Sequence, residues 1–235
     1  MRHLRALPLV LFLILVPFTP EIDLGLSRLF YSPSPSGKGH FVDNGLTRFF
    51  YNYGEWPAFI LWGLALLTLL FSSFCSFLKK WRRGAMALVL TLILGSGLIV
   101  NAFFKEYWHR PRPKQIEEFG GRYAFRPMYL PHFSLKKQKD EQKSFPSGHV
   151  TMGFYFFSLI LVGRRYKSRP LYYSGVGLVL FWGIGLTIVR IMQGGHFFSD
   201  TLAAALIMWE TAFFIDKLVF KRDVLHGKGV DFFPE

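Results

Sequence analysis

Three stretches of this chain, residues 56–78, 84–104 and 170–189, contain no charged side chain. Each has roughly the 20 residues that an α-helix needs to cross the hydrocarbon core of a bilayer. Inside lipid a chain must satisfy its own backbone hydrogen bonds, which leaves helices and closed barrels. Uninterrupted apolar runs of this length select helices. Two shorter runs, 6–20 and 150–163, extend the pattern. A last run from about 197 to 215 is interrupted by Asp200 and Glu210. The sequence therefore predicts an all-α, polytopic membrane protein, a bundle of six transmembrane helices with both termini on one side. The first run has a basic start, as a secretory signal does. No small-x-small cleavage site follows it, because the chain reads Pro17-Phe18-Thr19-Pro20-Glu21, so we read an uncleaved helix.

The net charge of +13 would suggest nucleic acid as the partner of a soluble protein. Here the cations have a plainer origin. They cluster in short connections, Lys79-Lys80-Trp81-Arg82-Arg83 and Arg164-Arg165-Tyr166-Lys167-Ser168-Arg169, which mark the cytoplasmic side. The basic N-terminus and Lys217, Lys221 and Arg222 agree. The remaining cations lie mostly in the long segment 105–143, on the opposite face. The expected partners are the bilayer and a membrane lipid, with no nucleic acid and no obligate protein partner. The chain reads as one domain, 1–235, with outer-face elaborations at about 21–55 and 105–144. Residues 24–31 and 46–53 are aromatic and amphipathic, and are expected to lie along the interface. The longer elaboration is expected to wall a substrate site. Cys75 is the only cysteine, so no intrachain disulfide forms.

Three fragments sit at the ends of these runs: Lys105-x6-Arg112-Pro113, Pro146-Ser147-Gly148-His149 and Arg190-x5-His196-x3-Asp200. The six-helix layout brings them to one membrane face. Ser147 is placed to cap a helix, and Gly148 lets a ligand approach the backbone. A helix N-terminus suits an anion. His149, in that first turn, is placed as general acid for a leaving alkoxide. Gly194-Gly195 allows a tight turn, after which His196 opens a helix with Asp200 one turn on. A hydrogen bond from His196 to Asp200 would leave the second ring nitrogen free as a nucleophile. Lys105, Arg112 and Arg190 supply fixed cations for the charge of a phosphoryl transition state. Arg110 and His109 fall in the same stretch and read as interfacial lipid contacts. His149, His196 and Asp200 could ligate a metal. The neighbouring cations would repel a divalent ion and no carboxylate cluster accompanies them, so no metal or other cofactor is expected.

These fragments resemble the signature of the type 2 phosphatidic acid phosphatase superfamily: Lys-x6-Arg-Pro, Pro-Ser-Gly-His and Ser-Arg-x5-His-x3-Asp. Val189 stands where the family usually has Ser, so one phosphate contact is missing or replaced; the other ten positions match in order. The resemblance implies a metal-free, outward-facing site. It implies that His196 forms a phosphohistidine supported by Asp200 and that His149 protonates the leaving group. Lys105, Arg112, Ser147, Gly148 and Arg190 would hold the phosphate. Residues 192–200 and 24–31 are also similar to bacterial lipid A phosphatases, with the 4′-position favoured over the 1-position. That implies a bacterial inner-membrane protein with a periplasmic site and cytoplasmic termini. Phosphatidylglycerophosphate and undecaprenyl diphosphate are alternative substrates. A different class, a non-catalytic protein that binds or transports anionic lipid, would use the same basic face without turnover.

Overall fold

The computed structural model describes residues 2–35, 39–132 and 142–221. Arg222 and the central part of the long outer segment, 133–141, lie outside them. The elements that build the site are α1 (Ala6–Leu29), α2 (Gly45–Phe71), α3 (Arg82–Tyr107), α4 (Gly148–Phe154), α5 (Phe157–Arg165), α6 (Arg169–Met192) and α7 (Phe198–Val219).

Four of them, α1, α2, α3 and α6, are long and apolar enough to cross a membrane. They keep large apolar side chains exposed, among them Leu13 and Ile14 on α1, Ile60 and Leu64 on α2, and Phe181 and Ile188 on α6. Exposure on this scale is costly in water, about 25 cal/mol per Å² of apolar surface, and matches helices that face lipid.

The runs at 150–163 and 197–215 differ from the other four for a physical reason. The first is short, begins beside the polar His149, ends at Arg164-Arg165, and passes through a turn at Tyr155-Phe156 between α4 and α5. The second forms α7, which packs against α1, α3, α4, α5 and α6. A helix enclosed by protein does not need to be apolar all round. Ala203, Ala204, Thr211 and Ala212 are buried on α7. Small side chains let helices approach closely, which matters in lipid because apolar burial drives association only weakly there. At the end of α7 away from the three fragments, Arg165 forks onto Asp216 at 2.8 and 2.6 Å.

The two stretches expected along the interface are not separate elements. Residues 24–29 continue α1, and 46–53 form the first turns of α2. Gly54 and Glu55 hold helical backbone angles, so α2 runs on without a break. Asn44 caps α2 reciprocally: its side chain accepts from the Thr47 N–H at 2.9 Å, while Thr47 Oγ1 accepts from the Asn44 N–H at 3.0 Å. Between α1 and α2, Tyr31–Ser32 pairs antiparallel with His40–Phe41. The rings of Tyr31, Phe41 and Phe119 meet with centroids 5.1–5.3 Å apart. This cluster joins the two outer segments above the α6–α7 turn.

Candidate active site

The three fragments meet at one end of the bundle. Lys105 lies in the last turn of α3, Ser147 and Gly148 open α4, Arg190 lies in the last turn of α6, and His196 and Asp200 flank the start of α7. Gly194, with φ at +57°, makes the turn from α6 to α7. A β-carbon there would also clash with the Phe41 ring, so both conformation and space require glycine. The N–H groups of Gly195 and His196 then donate to the Arg190 carbonyl at 3.0 and 3.2 Å, which closes the turn.

The structure changes the expected support of His196. Its Nδ1 lies 2.6 Å from the Ser144 carbonyl oxygen and 3.9 Å from Asp200 Oδ2, beyond hydrogen-bond reach. A carbonyl oxygen only accepts, so Nδ1 carries the proton and Nε2 keeps its lone pair. Asp200 acts one step removed. Its Oδ2 accepts from the Ser144 hydroxyl at 2.6 Å and from the Phe197 N–H at 2.8 Å. The carboxylate cannot reach the ring because it is already held by these donors and by Arg110. Burial pushes the His196 pKa well below the usual 6.5, and the charges of Arg190, Arg112 and Lys105 push it the same way, against the Ser144 carbonyl.

Five buried polar side-chain atoms have no hydrogen-bond partner among the described residues; Ser27 Oγ and Trp62 Nε1 belong to α1 and α2, and the other three, Arg112 Nε, Ser147 Oγ and Arg190 Nε, come from the three fragments. Buried donors left unpaired are costly. Ser147 occupies the cap position of α4, yet its hydroxyl makes no cap bond, so the capping role expected from sequence is not filled. Val189 packs with Phe50, Val150, Leu186 and Ala204 and offers no hydrogen bond from that position. A β-carbon at Gly148 would lie 2.5 Å from Lys105 Nζ, so glycine lets the ammonium come close to the start of α4. Arg190 is positioned by Gln193, whose Oε1 accepts from Nη1 at 2.7 Å and whose Nε2 donates to the Thr47 carbonyl at 3.1 Å. Its guanidinium also lies 4.8 Å over the Tyr51 ring.

His149 stacks on Tyr51 with centroids 5.0 Å apart. Its Nε2 lies 3.3 Å from the Tyr51 carbonyl and its Nδ1 3.4 Å from Glu55 Oε1. The charges of Arg190, Lys105 and Arg112 act on its ring. Both histidines therefore feel the cations Lys105, Arg112 and Arg190. A cavity of about 800 Å³ is lined by Arg112, Arg190 and Gly195 of the site and by Tyr31, Phe41, Lys114 and Phe119 of the outer segments. Burial and the charges of Arg112 and Arg190 lower the Lys114 pKa. Among the described residues no group of three or more His, Cys, Asp or Glu could hold a metal ion.

Sequence reasoning missed Asp23, Arg110 and Ser144. Arg110 is fully buried and bonded to both Asp23 and Asp200, so it is no interfacial lipid contact. The available signal was Asp23, an acid that follows the first apolar run and is costly there without a partner.

Comparison with known proteins places these residues in context. Residues 84–223 match the model of the PAP2 superfamily. A lipid A 4′-phosphatase of Francisella tularensis subsp. novicida is 30% identical over 196 residues, which are 78% of this chain and 85% of the relative. Lipid A 4′-phosphatases of Rhizobium etli and Rhizobium leguminosarum are 33% and 31% identical over 109 and 112 residues. Those two matches span 39% and 45% of the rhizobial chains. No solved structure matches significantly.

Proposed function

We propose, from the premise that this chain belongs to the PAP2 superfamily and is a phosphatase, that it cleaves a phosphate monoester from lipid A through a phosphohistidine on His196, with the 4′-phosphate preferred. The observation that carries the reaction is the set of unpaired buried atoms, Arg112 Nε, Arg190 Nε and Ser147 Oγ, beside a histidine whose Nε2 lone pair is free. Together with Lys105 and the backbone at Gly148, they form a ready receptor for phosphate oxygens.

In the first step, Nε2 of His196 attacks phosphorus and the bond to the lipid oxygen breaks. His149 gives its proton to the leaving oxygen. In the second, His149 takes a proton from water, the hydroxide attacks phosphorus, and the nitrogen–phosphorus bond breaks to release inorganic phosphate. Ser144 and Asp200 hold the imidazole throughout. Fixed cations neutralise the developing charge, so the chemistry needs no metal.

In this reading the chain is one domain that crosses a bacterial inner membrane six times. α4–α5 and α7 are the fourth and sixth crossings; α7, with 22 residues, is about 33 Å long at the usual rise. The short basic connections place the termini in the cytoplasm and the site in the periplasm. The outer elaborations, 21–55 and 105–144, wall the headgroup site, and the cavity between their described parts supports that role. The names of the relatives favour lipid A over phosphatidylglycerophosphate or undecaprenyl diphosphate.

The test of substrate is to incubate purified protein with bis-phosphorylated lipid A in EDTA and read the products by fragmentation mass spectrometry. Loss of the 4′-phosphate alone is expected. Loss at the 1-position, or turnover only of phosphatidylglycerophosphate or undecaprenyl diphosphate, would reassign the substrate. Turnover that requires added divalent metal would contradict the mechanism.

The pH profile follows from the two histidines. His196 stays neutral well into acid, so attack remains available below pH 6.5. The proton that His149 passes to the leaving oxygen arrives with the substrate monoanion. We expect kcat/KM to fall as pH rises through about 6, the second pKa of a phosphate monoester. A kcat/KM that rises from pH 6 to 8 would contradict this assignment.

A further inference from the structure

We infer that Asp23, on the first helix, is a positioning residue for the reaction, acting through Arg110 on Asp200, Ser144 and the His196 ring. The inference rests on the phosphatase reading above. Asp23, Arg110, Ser144, Ser199 and Asp200 are all fully buried. Arg110 uses every face of its guanidinium. Nη2 donates to Asp23 Oδ2 at 2.8 Å, Nη1 donates to Asp200 Oδ1 and to Ser199 Oγ at 2.8 Å, and Nε donates to the Arg126 carbonyl at 2.8 Å. The Phe197 ring covers it, 4.4 Å from the guanidinium carbon. Asp23 in turn holds the start of α7. Its Oδ1 accepts from the Ser199 N–H at 2.8 Å and its Oδ2 from the Ser199 hydroxyl at 2.6 Å.

The consequence runs to the reacting nitrogen. With Oδ1 fixed by Arg110, Asp200 presents Oδ2 to the Ser144 hydroxyl. The Arg110 carbonyl also accepts from the Ser144 N–H at 3.0 Å. Ser144 is thus held from both sides, and its carbonyl sets the tautomer and direction of His196. A guanidinium between two carboxylates suits this task, because its planar fork fixes angles as well as distances. α1 is therefore part of the catalytic apparatus as well as a membrane helix, although it lies outside the family match at 84–223.

The test is a double-mutant cycle on the full chain in detergent, with wild type and Asp200→Asn alongside. Asp23→Asn keeps the shape but turns an amide N–H toward the Arg110 and Ser199 donors. We expect kcat to fall about 10–100-fold, the range seen when partners that orient a metal-bound imidazole are removed, with KM within about threefold. In the Asp200→Asn background the same change is expected to cost less than about threefold, because the two residues act through one path. Equal losses in both backgrounds, a rise in KM matching the fall in kcat, or unchanged kcat would overturn the inference. Should Asp23→Asn fail to fold, Ser199→Ala removes one bridging hydroxyl, and the same non-additivity with Asp200→Asn is the expected result; additive losses would overturn it. An inactive wild type would instead overturn the phosphatase reading.

Discussion

Replacing His196 with alanine is expected to abolish turnover while leaving lipid binding intact. Its Nδ1 donates to the Ser144 carbonyl, which leaves the Nε2 lone pair among the charges of Arg190, Arg112 and Lys105. Removing a nucleophile of this kind costs on the order of 10⁴–10⁶ in kcat. Lys105, Arg112 and Arg190 remain in the variant, so affinity for an anionic headgroup should hold. Phosphate release and binding to anionic-lipid micelles, measured on the same preparation, check both halves. A protein that only binds or carries anionic lipid would function alike with and without His196, so full activity of His196→Ala would restore that reading. Polar groups concentrated at one end of the bundle already count against transport, which calls for a site near the membrane centre.

Arg190→Ala is expected to give the next largest loss. Arg190 brings an unpaired Nε to the site, and its orientation is fixed by Gln193 and Tyr51. Losing one preorganised donor at a developing oxyanion costs about 10²–10³ in kcat, or about 2.7–4 kcal/mol. The cavity left by the side chain would fill with water and screen the remaining cations. Arg190→Lys should recover only part of the rate, because an ammonium restores the charge without the planar fork. The informative comparison is kcat against KM. A contact made mostly in the transition state lowers kcat, whereas a ground-state anchor raises KM alone. Equal kcat in Arg190→Lys and wild type would mean that charge, and not direction, is what this position supplies.

Much of this arrangement was legible in the chain, for reasons that differ by element. The uncharged runs gave α2, α3 and α6 because a lipid environment leaves few options for an apolar backbone. The fragments at 105–113, 146–149 and 190–200 were placed together because they close helices at one end. Other features were not legible, because they depend on long-range contacts. The Ser144 carbonyl, rather than Asp200, accepts the hydrogen bond from His196 Nδ1, and that follows from an approach of residues 52 apart in sequence. Arg110 looked like any interfacial arginine until Asp23, 87 residues earlier, came to meet it. Residues 24–31 and 46–53 read as interfacial because their aromatic, amphipathic pattern is local. The continuity of 46–53 with the rest of α2 was set by the backbone at Gly54 and Glu55, which the pattern does not encode. α7 looked compromised as a spanning helix by Asp200 and Glu210. Its surroundings of protein explain why such a sequence is tolerated there.

The most direct test of the account is to trap the enzyme during turnover. Lipid A carrying ³²P-phosphate would be mixed with the protein, quenched in alkali and mapped by peptide. The account predicts an alkali-stable, acid-labile phosphoryl group on the peptide that contains His196, present in wild type and absent in His196→Ala. Label on another residue, or sustained turnover with no labelled protein at any time point and with His196→Ala still active, would contradict it.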